Sequence, residues 1–110
     1  MTIQRLAIIG LGLLGGSIGL AVKARGLAVV TTGWDRDPAV RQRAAERGLV
    51  EAVHDTAEAA VQGADLVILC VPVGAMGDAA RAIAPGLEPG AIISDVGSSK
   101  EAVATALAEA

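Results

Sequence analysis

The chain has 110 residues, of which 53% are hydrophobic, 19% charged and 1% aromatic. That length holds one domain and leaves no room for a second of ordinary size, and so apolar a composition excludes intrinsic disorder. A net charge of −3, with Trp34 as the only aromatic residue, excludes a nucleic-acid binder, which needs a basic face for phosphates and rings on which bases stack. The single cysteine, Cys70, leaves no partner for an intrachain disulfide and no cysteine zinc site; it suits a reducing compartment, so a cytoplasmic location is expected.

Ile3 to Ile9 reads as a buried strand and Leu14 to Arg25 as a helix ending at Gly26. The stretch Leu6 to Val22, apolar apart from Ser17, has glycines at positions 10, 12, 15, 16 and 19. So many glycines make a poor membrane helix, and no small-residue cleavage site marks a leader, so neither a membrane partner nor a targeting segment is expected. Ala28 to Trp34 is a second strand. Pro38 to Arg47 is a helix, with Asp37 as its N-cap, Pro38 in its first position and Gly48 closing it. Leu49 to Val53 reads as a short third strand. Thr56 to Val61 is a short helix, with Asp55 and Glu58 spaced as an N-cap and its third helical residue. Leu66 to Val71 is the most apolar strand and lacks alternation, so both of its faces should be covered. Ala75 to Ala84 is a helix stopped by Pro85 and Gly86, Ala91 to Asp95 a fifth strand, and Ser99 to Glu109 a last helix.

Alternating strands and helices, with continuously apolar strands, imply an α/β fold: a doubly wound parallel sheet of about five strands in the order 3-2-1-4-5. A complete fold of this kind normally adds a sixth strand, so residues 1–110 are expected to form a single, incomplete domain with one sheet edge left open. Such an edge invites pairing, and a homo-oligomer is one outcome.

Gly10-x-Gly12-x-x-Gly15 falls where the first strand turns into the first helix. Gly10 permits the tight turn, Gly12 lets the backbone approach a diphosphate, and Gly15 lets the helix pack closely on the strand. Leu13 and Leu14 lie between the second and third glycines and share this site. The helix tip presents free N–H groups and partial positive charge to phosphates. Gly15 and Gly19 lie on one helix face, where close backbone contact would offset the roughly 1 kcal/mol that each glycine costs a helix. Asp35 ends the second strand 20 residues after Gly15, where an acidic residue accepts hydrogen bonds from the adenosine ribose and repels a 2′-phosphate. That favours NAD. Arg36 beside it can stack on adenine or pair with such a phosphate, which leaves NADP open. Asp35 also has a plainer reading, as a turn residue ahead of the Asp37 cap.

The segments LAIIGLGLLGGSIGLAVKARGL, GWDRDP, ADLVILCVPVGAM and GAIISDVGSSK resemble the N-terminal half of prephenate and arogenate dehydrogenases, from Leu6 to about Val103. Those enzymes oxidise and decarboxylate prephenate or arogenate with NAD or NADP, on the route to tyrosine. The resemblance implies that Gly10, Gly12 and Gly15 hold the diphosphate and Asp35 the ribose. It further implies that Val71, Pro72 and Val73 line the wall beside ribose and nicotinamide, and that Ser98 lies near substrate and the catalytic histidine. Ser98-x-x-Glu101 is also a capping box for the last helix, and the two roles are compatible. The family's catalytic histidine belongs to a Gly-His-Pro segment farther along than Ala110, followed by a helical domain that pairs subunits. The chain is therefore expected to bind the dinucleotide with little or no turnover. His54, the only histidine, is expected on a surface loop and is not the base. Other readings stay open: a β-hydroxyacid dehydrogenase or imine reductase on the same fold, or a non-catalytic nucleotide-sensing or assembly module.

Overall fold

In the computed structural model, which describes residues 3–95, the chain alternates strand and helix throughout. β1 (Ile3–Ile9) leads to α1 (Leu13–Arg25), β2 (Ala28–Trp34), α2 (Pro38–Arg47) and β3 (Ala52–Val53). There follow α3 (Ala57–Val61), β4 (Leu66–Leu69), α4 (Met76–Ile83) and β5 (Ile92–Asp95). The five strands form one sheet in the order β3-β2-β1-β4-β5, every neighbouring pair parallel. The strand order reverses between β1 and β4, and this is where a doubly wound sheet opens a crevice at its carboxyl edge.

Alternation along the central strands divides the core in two. Leu6 and Ile8 of β1 and Leu66 and Ile68 of β4 meet Ile18 and Val22 of α1 and Ala44 of α2 on one face. Ala7, Ile9, Val67 and Leu69 meet Ala60, Val61, Ala79 and Ile83 of α3 and α4 on the other. All four residues of β4 are buried, so both faces of that strand are covered, as a continuous apolar run requires. Each large aliphatic side chain buried here contributes roughly 1.5–3 kcal/mol. The threonines of β2 are buried but satisfied: Thr32 Oγ1 donates to Ala60 O at 2.7 Å, and Thr31 Oγ1 accepts from Glu51 N at 3.0 Å.

The element ends show where local chemistry departs from the apolar pattern. Leu49 to Val53 does not form one strand, because only 52–53 pair with β2. Gly48 N–H donates to Ala45 O and Leu49 N–H to Ala44 O, so these two residues close the carboxyl end of α2 instead. β4 stops at Leu69 and not at Val71: β1 turns away after Ile9, and its last tie to this segment is the bond from Cys70 N to Ile9 O at 2.7 Å. A 3-10 turn over 73–75 precedes α4 and another over 84–86 follows it, trimming the expected helix at both ends. The cap of α3 is Thr56 and not Asp55: Thr56 Oγ1 accepts from Ala59 N at 3.1 Å. Asp55 lies one residue too early for its side chain to reach the first free amides, and its carbonyl is engaged by Trp34 Nε1 at 3.1 Å. α2 is capped by Asp37, which accepts from Ala39 N at 2.9 Å, with Pro38 first and Gly48 last.

β5 forms the edge, with Ile92 61% and Ile93 46% exposed. The expected last helix over 99–109, with Ser98, lies outside the described residues. Among the described residues, no helix is long and apolar enough to cross a membrane.

Candidate functional site

The turn between β1 and α1 owes its shape to its three glycines. Gly10 adopts φ 101°, a left-handed conformation open to glycine, and an added Cβ would overlap the Cys70 carbonyl. A Cβ on Gly15 would overlap the Gly10 carbonyl, so the first turn of α1 rests directly on the end of β1. Gly12 is the opposite case: it is extended, with nothing within 4 Å of where a Cβ would stand. Two glycines are thus demanded by the protein's own atoms, and the third faces open space. Farther along α1, a Cβ on Gly19 would overlap the Leu49 carbonyl, which is the close backbone contact expected for that face.

Gly12 caps α1 without any side-chain hydrogen bond, and no acidic residue occupies the first turn. The amides of Leu13 and Leu14 therefore point outward with the helix's positive end. Their side chains do something else. Leu13 is 92% exposed, while Leu14 packs against the core cluster below.

The turn borders a cavity of about 460 Å³ at the carboxyl edge of the sheet, a size suited to a small-molecule ligand. Gly10 and Gly12 form one side, Trp34, Asp35 and Arg36 the end beyond β2, and Cys70, Val71 and Pro72 the side beyond β4. Six of the expected residues therefore line this one cavity. Leu13, Leu14, Gly15 and Val73 lie off it; Gly15 is buried beneath the turn, and Val73 is 82% exposed at the start of the 3-10 turn. Ser98 is outside the described residues. The fourth side comes from Ala75, Asp78, Ala79 and Ala82, which the sequence reading missed. The spacing of the three alanines puts them on one helical face, but the sequence does not say what that face lines. Cys70 was likewise not assigned to the wall, whereas Trp34 stands beside Asp35 as its position in the sequence implies.

Asp35 holds a more occupied position than a free ribose acceptor. Its Oδ2 accepts from Leu11 N at 2.8 Å and its Oδ1 from Asp37 N at 2.9 Å. Arg41 Nη1, from α2, donates to the Asp35 carbonyl at 2.8 Å, so a second guanidinium stands close to the exposed Arg36. Asp78 at the opposite rim pairs with Arg81. Burial, with the Asp95 charge as a second cause, pushes the Cys70 thiol up from 9.0 to about 12, so it remains a neutral thiol on the cavity wall. His54 is not on that wall. Nor is it on an exposed loop: it is half-buried, because its backbone N–H continues the pairing with β2 through Gly33 O at 2.9 Å, and Nε2 is shut from solvent.

Residues 18–110 match the family described as prephenate dehydrogenase, nucleotide-binding domain. The cyclohexadienyl dehydrogenase of Zymomonas mobilis is 47% identical over 100 residues, covering 91% of this chain and 34% of that protein. The crystal structure of Synechocystis arogenate dehydrogenase superposes with a TM-score of 0.78 at 29% identity, over 96% of this chain and 37% of that one. The prephenate dehydrogenase of A. aeolicus, solved in complex with hydroxyphenyl propionate and NAD+, superposes with a TM-score of 0.79 at 24% identity, over 97% of this chain and 39% of that one, and shows the shared fold. The chain spans little more than a third of the length of these relatives. It belongs to the family of prephenate dehydrogenase nucleotide-binding domains.

Proposed function

We propose that this chain is the cofactor-gripping part of an enzyme that oxidises and decarboxylates prephenate or arogenate, and that it takes NAD, with NADP admitted through Arg36. The observation that carries the reading is the contrast among the three glycines: Gly10 and Gly15 are filled against by the protein, while the space above Gly12 is open beside an uncapped helix tip. A diphosphate fits such a cradle, because the backbone can approach it and the first amides of α1 can donate to it.

The residues present divide the work. Leu13 and Leu14 offer N–H groups to the diphosphate, Asp35 borders the adenosine ribose, and the alanine face of α4 with Trp34 flanks the adenine. Val71 and Pro72 form the wall toward the nicotinamide and keep water from it, with exposed Val73 beyond them at the same lip. Ser98 is assigned a place near the substrate by family resemblance. When bound, the nicotinamide supplies the hydride acceptor for oxidation. A histidine base suits the proton transfer that accompanies it, and His54, half-buried away from the cavity wall, does not serve. The isolated chain therefore binds dinucleotide with little or no turnover.

Trp34 makes the test direct, since it is the only tryptophan and lies on the cavity wall. Titration with NADH should quench its emission saturably, with transfer to the reduced nicotinamide. Unchanged Trp34 emission at millimolar NADH would overturn the binding reading. Steady NADH production from prephenate or arogenate by the chain alone would overturn the assignment of little or no turnover.

A further inference from the structure

We infer that Asp35 is a positioning residue for the phosphate-binding turn: its carboxylate holds the Leu11 amide and so fixes where Gly12 and the first amides of α1 stand. This rests on the reading that the turn receives a dinucleotide's diphosphate. It gives Asp35 a duty that is discharged before any ribose arrives.

The ladder between β1 and β2 ends at Ile9 and Trp34. Beyond it, two consecutive amides of the turn are tied to the end of β2: Gly10 N to the Trp34 carbonyl at 2.8 Å, and Leu11 N to Asp35 Oδ2 at 2.8 Å. The second tie spans 24 residues of sequence and is the last before Gly12, the most permissive residue of the turn. The carboxylate is itself held in place. Its other oxygen accepts from Asp37 N at 2.9 Å, and the carbonyl of the same residue accepts from Arg41 Nη1 at 2.8 Å. Asp35 thus joins the turn, the end of β2 and the start of α2. Without an acceptor, the part-buried Leu11 N–H would be left unpaired, and the peptide leading into Gly12 would be free to rotate. A turn set before binding spares the ligand the cost of ordering it.

The two duties of Asp35 predict opposite results. A carboxylate that only reads the ribose makes NADH bind better and NADPH worse, so its removal should weaken the first and strengthen the second. A carboxylate that positions the turn supports the diphosphate of both. For Asp35→Ala, which leaves Leu11 N–H without its side-chain acceptor, we expect NADH and NADPH to weaken together by about tenfold, with the ratio between them moving by less than about threefold. In the 15N,13C-labelled wild-type chain, the Leu11 amide nitrogen should show a scalar coupling through the hydrogen bond to the Asp35 carboxylate carbon. Tighter NADPH binding alongside weaker NADH binding would overturn the inference, and so would a Leu11 amide without that coupling. The wild-type coupling decides the matter if the variant fails to fold. Should wild-type chain not bind NADH at all, the functional reading falls, while the Leu11 coupling still decides whether Asp35 holds the turn.

Discussion

At Gly12 the backbone meets no neighbour, whereas at Gly15, three residues on, it meets the Gly10 carbonyl. The two positions therefore separate ligand binding from folding. Gly12→Val should leave unfolding free energy within about 0.5 kcal/mol of wild type, as read by urea denaturation, yet abolish the Trp34 response to NADH. Gly15→Ala should cost about 1–3 kcal/mol or more through overpacking. Loss of stability in the Gly12 variant comparable to that of the Gly15 variant would remove the distinction. Cys70 supplies a pH test. Its thiol ionises near 9 when unfolded but only near 12 when folded, so the folded chain holds the proton more firmly. That contribution is complete below pH 9 and lost as pH rises toward 12. Denaturation midpoints measured across that window should fall more steeply for wild type than for Cys70→Ala. The glycine pattern was legible in the sequence because each position has one steric demand. The tie from Asp35 to Leu11 was not, since hydrogen bonds across a fold leave no spacing signal.

The starts of α2 and α3 are each set by a single side chain. Asp37 and Thr56 each accept one otherwise free amide, and replacing either by Ala should cost about 1 kcal/mol, read as a lowered thermal midpoint. Asp55→Ala should cost less than Thr56→Ala, because Asp55 serves Trp34 through its carbonyl and not through its side chain; equal losses would return the cap to Asp55. The same region shows why boundaries were harder to read than elements. Strand three was overextended because Leu49 and Val50 are apolar, and apolarity alone cannot distinguish a strand from a helix closing on the core. Gly48, with φ 62°, was the available signal that the next residues complete a helix end. The alanine face of α4 was readable as a helix but not as a wall, since nothing local says what an alanine stripe packs beside.

Across the whole molecule, the order β3-β2-β1-β4-β5 follows from the alternation of elements and the right-handedness of parallel crossovers, which is why topology was legible when strand ends were not. That topology puts the break in strand order beside the glycine turn and leaves Asp35 on one flank and Pro72 on the other. On the proposed function, this break seats a dinucleotide, with diphosphate over Gly12 and adenosine toward Asp35 and Trp34. A crystal structure of the chain grown with NAD+ tests that arrangement. Diphosphate oxygens should lie within hydrogen-bond distance of the Leu13 or Leu14 amides, and the adenine against the alanine face of α4. A nucleotide bound elsewhere, or a turn closed over by the protein's own atoms at saturating NAD+, would contradict it.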